Sequence, residues 1–121
     1  MPDPRHELGI RAEVTAARWL QVRGWRILAR RWRSASGEID LVCNDEHGAL
    51  VAVEVKLRTT ARAGGPIESV DTRRVRRLRR ALADYALTAG HGQATRRVDL
   101  VGLERSGDRW RLRHERGIDG W

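Results

Sequence analysis

The fold of this 121-residue chain is decided by the stretch GEIDLVCNDEHGALVAVEVKLR, which occupies positions 37–58. Apolar and polar residues alternate in both halves of the stretch, as is typical of β-strands, and the polar residues 45–48 between them indicate a turn. The pattern predicts one strand over residues 38–44 and another over residues 49–58, paired antiparallel through a short hairpin. One face of the first strand is expected to carry Ile39, Leu41 and Cys43, and the inward face of the second to carry Val51, Val53, Val55 and Leu57.

Outward from this hairpin, the sequence predicts two helices and three further strands. Helical spacing of apolar residues predicts a helix over residues 4–23, and a cap at Asp71 with a stop at Gly90 predicts another over residues 71–89. Strands are expected over residues 25–33, 97–104 and 109–114. Residues 59–67 have no periodic pattern, so we expect a mobile loop there.

This order of elements indicates an α/β fold. A helix placed between two strands returns the chain in the same direction, so we expect a right-handed crossover that joins two parallel strands. The length suits a single domain, residues 1–121. The sequence therefore predicts a central mixed five-stranded sheet flanked by helices.

The charge of the chain predicts its partner. The sequence has 24 basic and 16 acidic residues, which give a net charge of +8. Such an excess on a small domain attracts polyanions through counterion release, and nine arginines are concentrated in residues 30–33 and 73–80. An arginine content that only keeps the protein soluble is the alternative interpretation. We expect nucleic acid, most likely DNA in preference to RNA, to bind at Arg30, Arg31, Arg33, Arg58, Arg73, Arg74 and Arg77.

Several classes of site are excluded by composition. The single Cys43 rules out an internal disulfide, and four scattered histidines offer no paired spacing for zinc. No apolar run approaches the roughly 20 residues that span a bilayer, so we expect no membrane association and a cytoplasmic location. Cys43 and most tryptophans are expected in the core, while Trp32, which lies among arginines, is a candidate for stacking on a base.

Lys56 is the only lysine of the chain and stands two residues after Glu54. The two side chains share one face of a predicted strand, and Asp40 lies on the antiparallel neighbour, so two carboxylates and an ammonium are expected to meet. Carboxylate oxygens suit Mg²⁺ or Mn²⁺, which activates water and neutralises charge on a cleaved phosphodiester. We expect Lys56 to hold or help deprotonate the attacking water.

Two further acids could join this site. Glu13 lies on the first helix among small side chains that allow a close approach to the sheet, although a helical glutamate is more often a solvated surface residue. Glu38 shares a strand face with Asp40 and could either orient the site or pair with a nearby arginine.

Four segments resemble, in order and spacing, the YraN-like family of small bacterial proteins: LGIRAE (8–13), GEIDLV (37–42), VEVKLR (53–58) and RVD (97–99). The resemblance covers residues 5 to about 103. The family is similar in fold to the Holliday-junction resolvases and restriction endonucleases, the PD-(D/E)xK nucleases. The resemblance therefore implies a restriction-endonuclease-like fold, with Asp40 and Glu54 as metal ligands, Lys56 as the catalytic lysine and Glu13 as the helical acid.

The chain departs from the family pattern at three positions. Arg31 stands where such proteins commonly carry asparagine, Val98 replaces the usual phenylalanine, and Arg74 occupies a place that is usually lysine. We interpret the first two as packing or binding changes. The acids and Lys56 are intact.

Together these features favour an endonuclease that depends on Mg²⁺ or Mn²⁺ and acts on branched or otherwise structured DNA. The alternative is a binding module that keeps the nuclease fold but holds DNA or RNA without cutting it, because the charge pattern is the same for both. Cutting two strands of a junction would favour a symmetric homodimer.

Overall fold

The computed structural model describes residues 4–58 and 71–120. Every predicted helix and strand is present, with ends within two residues of those expected. The predicted loop over residues 59–67 lies outside the described residues. In chain order the elements are α1 (Pro4–Val22), β1 (Arg26–Ser34), β2 (Gly37–Asn44), β3 (Leu50–Arg58), α2 (Thr72–Ala89), β4 (Arg96–Ser106), β5 (Arg109–Glu115) and a short 3-10 helix, η1 (Ile118–Gly120).

The five strands form one sheet in the order β1-β2-β3-β4-β5. Strands β3 and β4 are parallel, and the other three neighbouring pairs are antiparallel. Helix α2 lies between the two parallel strands in the sequence. The prediction of an α/β fold with a mixed five-stranded sheet is confirmed.

Helix α2 has the ends that its sequence predicts. The Asp71 carboxylate accepts a hydrogen bond of 2.8 Å from the backbone N–H of Arg73. Gly90 adopts a left-handed conformation with φ of 78°, and its N–H binds the carbonyl of Ala86. Both features satisfy backbone groups that a helix end leaves unpaired.

Both faces of the sheet are buried, so the prediction that β3 has a single inward face is wrong. Val51 and Val53 pack on the α1 side, whereas Leu50 and Ala52 pack on the α2 side. Central strands that helices cover on both faces are apolar almost throughout, and alternation alone does not reveal this. Cys43 is buried in the core, as expected.

Ile39 does not share a face with Leu41 and Cys43, contrary to the prediction, because it packs on the α2 side. Pairing between β2 and β3 ends at Leu41 and Val53, so earlier residues of β2 pair with β1 alone. On β1, Arg31 has φ of 48°. A left-handed residue interrupts the two-residue period of its own strand, so β1 is irregular opposite Asp40.

The C-terminal segment, for which the sequence predicts nothing, is held by a buried carboxylate. Asp99 is fully buried and accepts hydrogen bonds from Arg97 at 2.9 Å, from His114 at 2.8 Å and from the backbone N–H of Gly117 at 2.9 Å. The Asp119 carboxylate in turn accepts a hydrogen bond of 2.9 Å from the backbone N–H of Val98. These contacts fix η1 against β4.

Candidate functional site

Asp40 lies where β2 and β3 stop pairing. The last backbone pair between these strands is Leu41 with Val53. Beyond it, the Asp40 Oδ2 atom accepts a hydrogen bond of 2.8 Å from the backbone N–H of Val55. The side chain thus takes the place of a backbone acceptor, and this holds the Asp40 carboxyl against β3.

Asp40 and Glu54 form a hydrogen-bonded carboxyl pair. Burial, followed by the hydrogen bond to Glu54 and its charge, raises the pKa of Asp40 to about 8. Burial would also raise the pKa of Glu54, but hydrogen bonds from Arg74 and Asp40 hold it below its usual value. At neutral pH the pair therefore shares one proton, with Asp40 as the donor and Glu54 as the charged acceptor.

Arg74 occupies both oxygens of the Glu54 carboxylate. Its Nε donates to Oε2 at 2.6 Å and its Nη2 donates to Oε1 at 3.2 Å. The Glu54 side chain is only 6% exposed, while that of Arg74 is 33% exposed. Arg74, which is predicted to contact nucleic acid, has an acidic partner within the protein in this structure.

Lys56 stands on the same strand as Glu54 and is exposed. Its charge contributes to the lowered pKa of Glu54, although less than the hydrogen bonds of Arg74 and Asp40 do. It forms no ion pair with any acid of the described residues. The structure thus places Lys56 near Glu54, and the grouping of two carboxylates with one ammonium stays a prediction.

Glu13 and Glu38 lie beside the pair, and each is held by an arginine. Oε2 of Glu13 lies 2.9 Å from Nε and 2.8 Å from Nη2 of Arg31 and accepts a hydrogen bond from Nε. Oε2 of Glu38 accepts a hydrogen bond of 2.7 Å from Nε of Arg33. The pKa of Arg31 is raised by Glu13 and, more weakly, by the charges of Glu38 and Asp40, so these three acids surround it. The four ion-paired side chains line an open cavity of about 500 Å³ together with His6 and Gly9.

The donor chemistry partly fits a hard divalent cation. No three acid or histidine side chains converge within residues 4–58 and 71–120. Asp40 and Glu54 do converge, and one or two carboxylates are what Mg²⁺ usually takes from a protein, with water and phosphate as its other ligands. Because Arg74 already binds both oxygens of Glu54, a cation at this carboxylate would compete with the guanidinium.

Four exposed arginines form a stripe along α2. They line an open groove of about 340 Å³, and none of them pairs with an acid in the part of the chain that the structure describes. Arg73 and Arg77 are among the predicted nucleic-acid contacts, and spacing of three and four residues on a helix places Arg76 and Arg80 on the same face. This arginine stripe consists of Arg73, Arg76, Arg77 and Arg80.

The other residues predicted to contact nucleic acid differ in their exposure and packing. Arg30 is exposed on β1, and Arg58 is half-buried at the end of β3. Trp32, the candidate for stacking on a base, packs edge to face on Tyr85 with ring centroids 5.3 Å apart. It therefore contributes to the α2 core.

The sequence did not predict the hydrogen-bonded pair of Asp99 and His114. His114 lies between the rings of Trp19 and Trp25, at centroid distances of 5.5 and 5.3 Å. Asp99 is aligned with Val53 and so faces the α1 side, whereas Glu54 faces the α2 side. The pair is thus separated from the candidate site by the sheet, and its hydrogen bonds are all made within the protein.

None of the helices in the described ranges has both the length and the apolar character that a membrane span requires.

Comparison with known sequences places the chain in a family. The sequence profile described as "Uncharacterised protein family UPF0102" matches residues 12–103. A UPF0102 protein of Leifsonia xyli is 39% identical over 99 residues, which cover 82% of this chain and 83% of that one. A UPF0102 protein of Renibacterium salmoninarum is 42% identical over 113 residues, which cover 93% and 95% of the two chains.

A solved structure gives only a distant likeness. SfsA of Pyrococcus furiosus in complex with Ca²⁺ matches 94% of this chain at 13% identity, with a TM-score of 0.35. The match covers 64% of that chain, less than two thirds of its length. At this level of similarity it carries no argument about the present site. The sequence matches confirm the predicted resemblance, and the chain belongs to the UPF0102 family, the YraN-like family.

Proposed function

We propose that this protein is a nuclease that uses Mg²⁺ or Mn²⁺ to hydrolyse phosphodiester bonds in structured or branched DNA. The observation that supports it most is the approach of the half-buried Asp40, held by the N–H of Val55, to the buried Glu54 next in the strand to Val55. Burying a carboxylate opposes folding where an apolar residue would not. Such costly, perturbed pairs are concentrated at functional sites.

Each residue of the candidate site has a separate role in the proposed reaction. Asp40 and Glu54 would hold the cation, which when bound activates water and neutralises charge on the phosphodiester. Asp40 has to release its proton before both carboxylates can act as ligands. Lys56, exposed next to Glu54, would position the attacking water with a single compact charge. The arginine stripe would bind phosphates of the substrate.

The test is cleavage of linear, flapped and four-way DNA in the presence of Mg²⁺ or Mn²⁺. Asp40→Asn and Lys56→Ala are each expected to lower the rate by about 10²- to 10⁴-fold, the usual range for the loss of a group that handles the proton or water. Asp108→Asn is the matched control, because Asp108 is exposed in the turn between β4 and β5. Cleavage that survives both site substitutions at the control rate would reject the proposal.

A second function is favoured by a different observation, the pairing of three of the four acids in the cluster with an arginine. Glu54, Glu13 and Glu38 are each neutralised within the protein. Such a site suits a module that binds nucleic acid without cutting it. It predicts binding that weakens steeply with salt, needs no divalent cation and is not reduced by Glu54→Gln. Competition between duplex DNA and structured RNA would then identify the preferred ligand.

A further inference from the structure

Arg74 connects the carboxylate pair with the arginine stripe. It lies in the first turn of α2, directly after Arg73 and three residues before Arg77, so it borders the stripe on the helix surface. Its guanidinium reaches back to Glu54 at 2.6 Å. One residue thus binds the carboxylate pair and lies next to the stripe, the two surfaces to which the proposed function assigns separate tasks.

The guanidinium has two possible partners of the same shape. Its planar fork binds a carboxylate or a phosphate through the same two parallel hydrogen bonds. Glu54 is nearly inaccessible to solvent, whereas a third of the Arg74 side chain is exposed. Arg74 can therefore turn towards a ligand on the surface, but Glu54 cannot follow it.

A carboxylate whose two oxygens both accept from one guanidinium has little capacity left for a metal ion. The guanidinium of Arg74 also places a positive charge next to Glu54, and this charge repels a divalent cation. If Arg74 left without a replacement, Glu54 would be a buried unpaired charge, which is strongly unfavourable. Departure of the guanidinium and arrival of a cation therefore favour each other.

From this geometry we infer that Arg74 exchanges partners. In the protein without nucleic acid it binds Glu54 and blocks the cation site; when a nucleic-acid backbone occupies the stripe, Arg74 transfers to a phosphate and opens the site. Nucleic acid and divalent cation then bind cooperatively, and each raises the affinity for the other by the same factor. The inference rests on the proposed function of Asp40 and Glu54.

The experiment measures Mn²⁺ affinity, by electron paramagnetic resonance of the unbound ion, with and without a short phosphorothioate DNA duplex that resists hydrolysis. The wild-type protein is expected to bind Mn²⁺ about 5- to 150-fold more tightly with the duplex, the common range for coupled sites. Arg74→Ala is expected to bind Mn²⁺ more tightly than wild type without the duplex and to gain little from it. Subtracting the signal of Glu54→Gln with the same duplex removes Mn²⁺ bound to the DNA itself.

Arg79→Ala is the matched control. Arg79 also lies on α2 and forms an ion pair of 2.7 Å, but with Asp119. Its removal changes the net charge equally, so Mn²⁺ affinity without the duplex should equal that of wild type. Arg74→Lys provides a second variant should Arg74→Ala not fold: an ammonium cannot make the two parallel hydrogen bonds, so this variant should also bind Mn²⁺ more tightly than wild type.

The outcomes separate the inference from the proposed function. In one outcome, wild type binds Mn²⁺ through Glu54 with the same affinity with and without the duplex, while the Arg74 variants match Arg79→Ala. This result would reject the partner exchange of Arg74 but would retain the cation site. If no variant binds Mn²⁺ in a way that Glu54→Gln abolishes, with or without the duplex, the proposed function fails and the inference fails with it.

Discussion

Asp40 shows at the scale of one residue why the candidate site is not built for stability. Its pKa is raised from 3.8 to about 8, first by burial and then by Glu54. Because the folded protein holds this proton more tightly than the unfolded chain, the stabilising contribution is complete below pH 3.8 and is lost as the pH rises to about 8. At physiological pH the residue therefore opposes folding relative to a neutral side chain.

Asp40→Asn is expected to stabilise the protein when divalent cations are absent. The amide can accept from the N–H of Val55 and donate to Glu54, as the protonated carboxyl does, but it does not titrate. We expect a gain of about 0.5–2 kcal/mol at pH 8, the usual range for favourable substitutions at functional sites, and a smaller difference at acidic pH. Urea unfolding of both proteins across this pH range measures it. A variant less stable than wild type at pH 8 would contradict this account of Asp40.

At the scale of the element, α2 carries two kinds of arginine. Arg74 and Arg79 bind acids of the same chain, Glu54 and Asp119. The arginine stripe has no such partner within residues 4–58 and 71–120, and it extends about 10 Å along the helix at 1.5 Å per residue. The first kind anchors the helix and borders the site, and the second is available to a polyanion.

Single substitutions should separate these two kinds of arginine. Arg76→Ala or Arg77→Ala is expected to weaken DNA binding and to reduce the slope of log affinity against log salt by about 1, since one phosphate contact is lost. Arg79→Ala removes the same charge without such a contact, so the slope should stay at the wild-type value. Fluorescence anisotropy over a salt series gives all three slopes. Equal slopes for all variants would mean that net charge, and not the stripe, governs binding.

Much of the element order could be predicted, because its signals are local. The cap at Asp71, the stop at Gly90 and the alternation around Glu54 and Lys56 each depend on a few neighbouring residues. Contacts between distant segments could not be predicted. The bond of Arg74 to Glu54 joins residues 20 apart in the sequence and depends on how α2 is rotated against the sheet.

Arg31 has a backbone conformation that the sequence did not predict. No other non-glycine residue among those described has a positive φ. The local sequence does not predict a left-handed conformation for this arginine, because residues with bulky side chains rarely adopt a positive φ. Asparagine tolerates this conformation better than arginine does.

At the scale of the whole molecule, Asp99 connects segments that are far apart in the chain. It binds His114 of β5, the backbone of Gly117 before η1, and Arg97, which also pairs with Asp45 in the turn between β2 and β3. Burial opposes ionisation of Asp99, but the hydrogen bonds from His114, Arg97 and Gly117 hold its pKa below 3.8. Its stabilising contribution is therefore complete above that pH and disappears as the pH falls through the folded-state pKa.

Asp99→Asn is expected to destabilise the protein by about 3–5 kcal/mol at pH 7, because it removes the buried charged partner of Arg97. Urea unfolding at pH 7 and in acid measures the effect, and the variant should lose less stability on acidification than wild type does. The surface substitution Asp108→Asn serves as the reference. A loss no larger than that of the reference would show that the network does not join the sheet to the C-terminal segment.

The solitary lysine makes the candidate site selectively labelable. Lys56 is exposed and is the only side-chain amine of the 121 residues, so an amine-directed reagent will label this position and the N-terminal amino group. Mass spectrometry of the modified peptide then reports the reactivity of one atom beside Glu54. Protection by DNA, or by Mn²⁺, can be followed there in the unaltered protein without introducing a chromophore or a new cysteine.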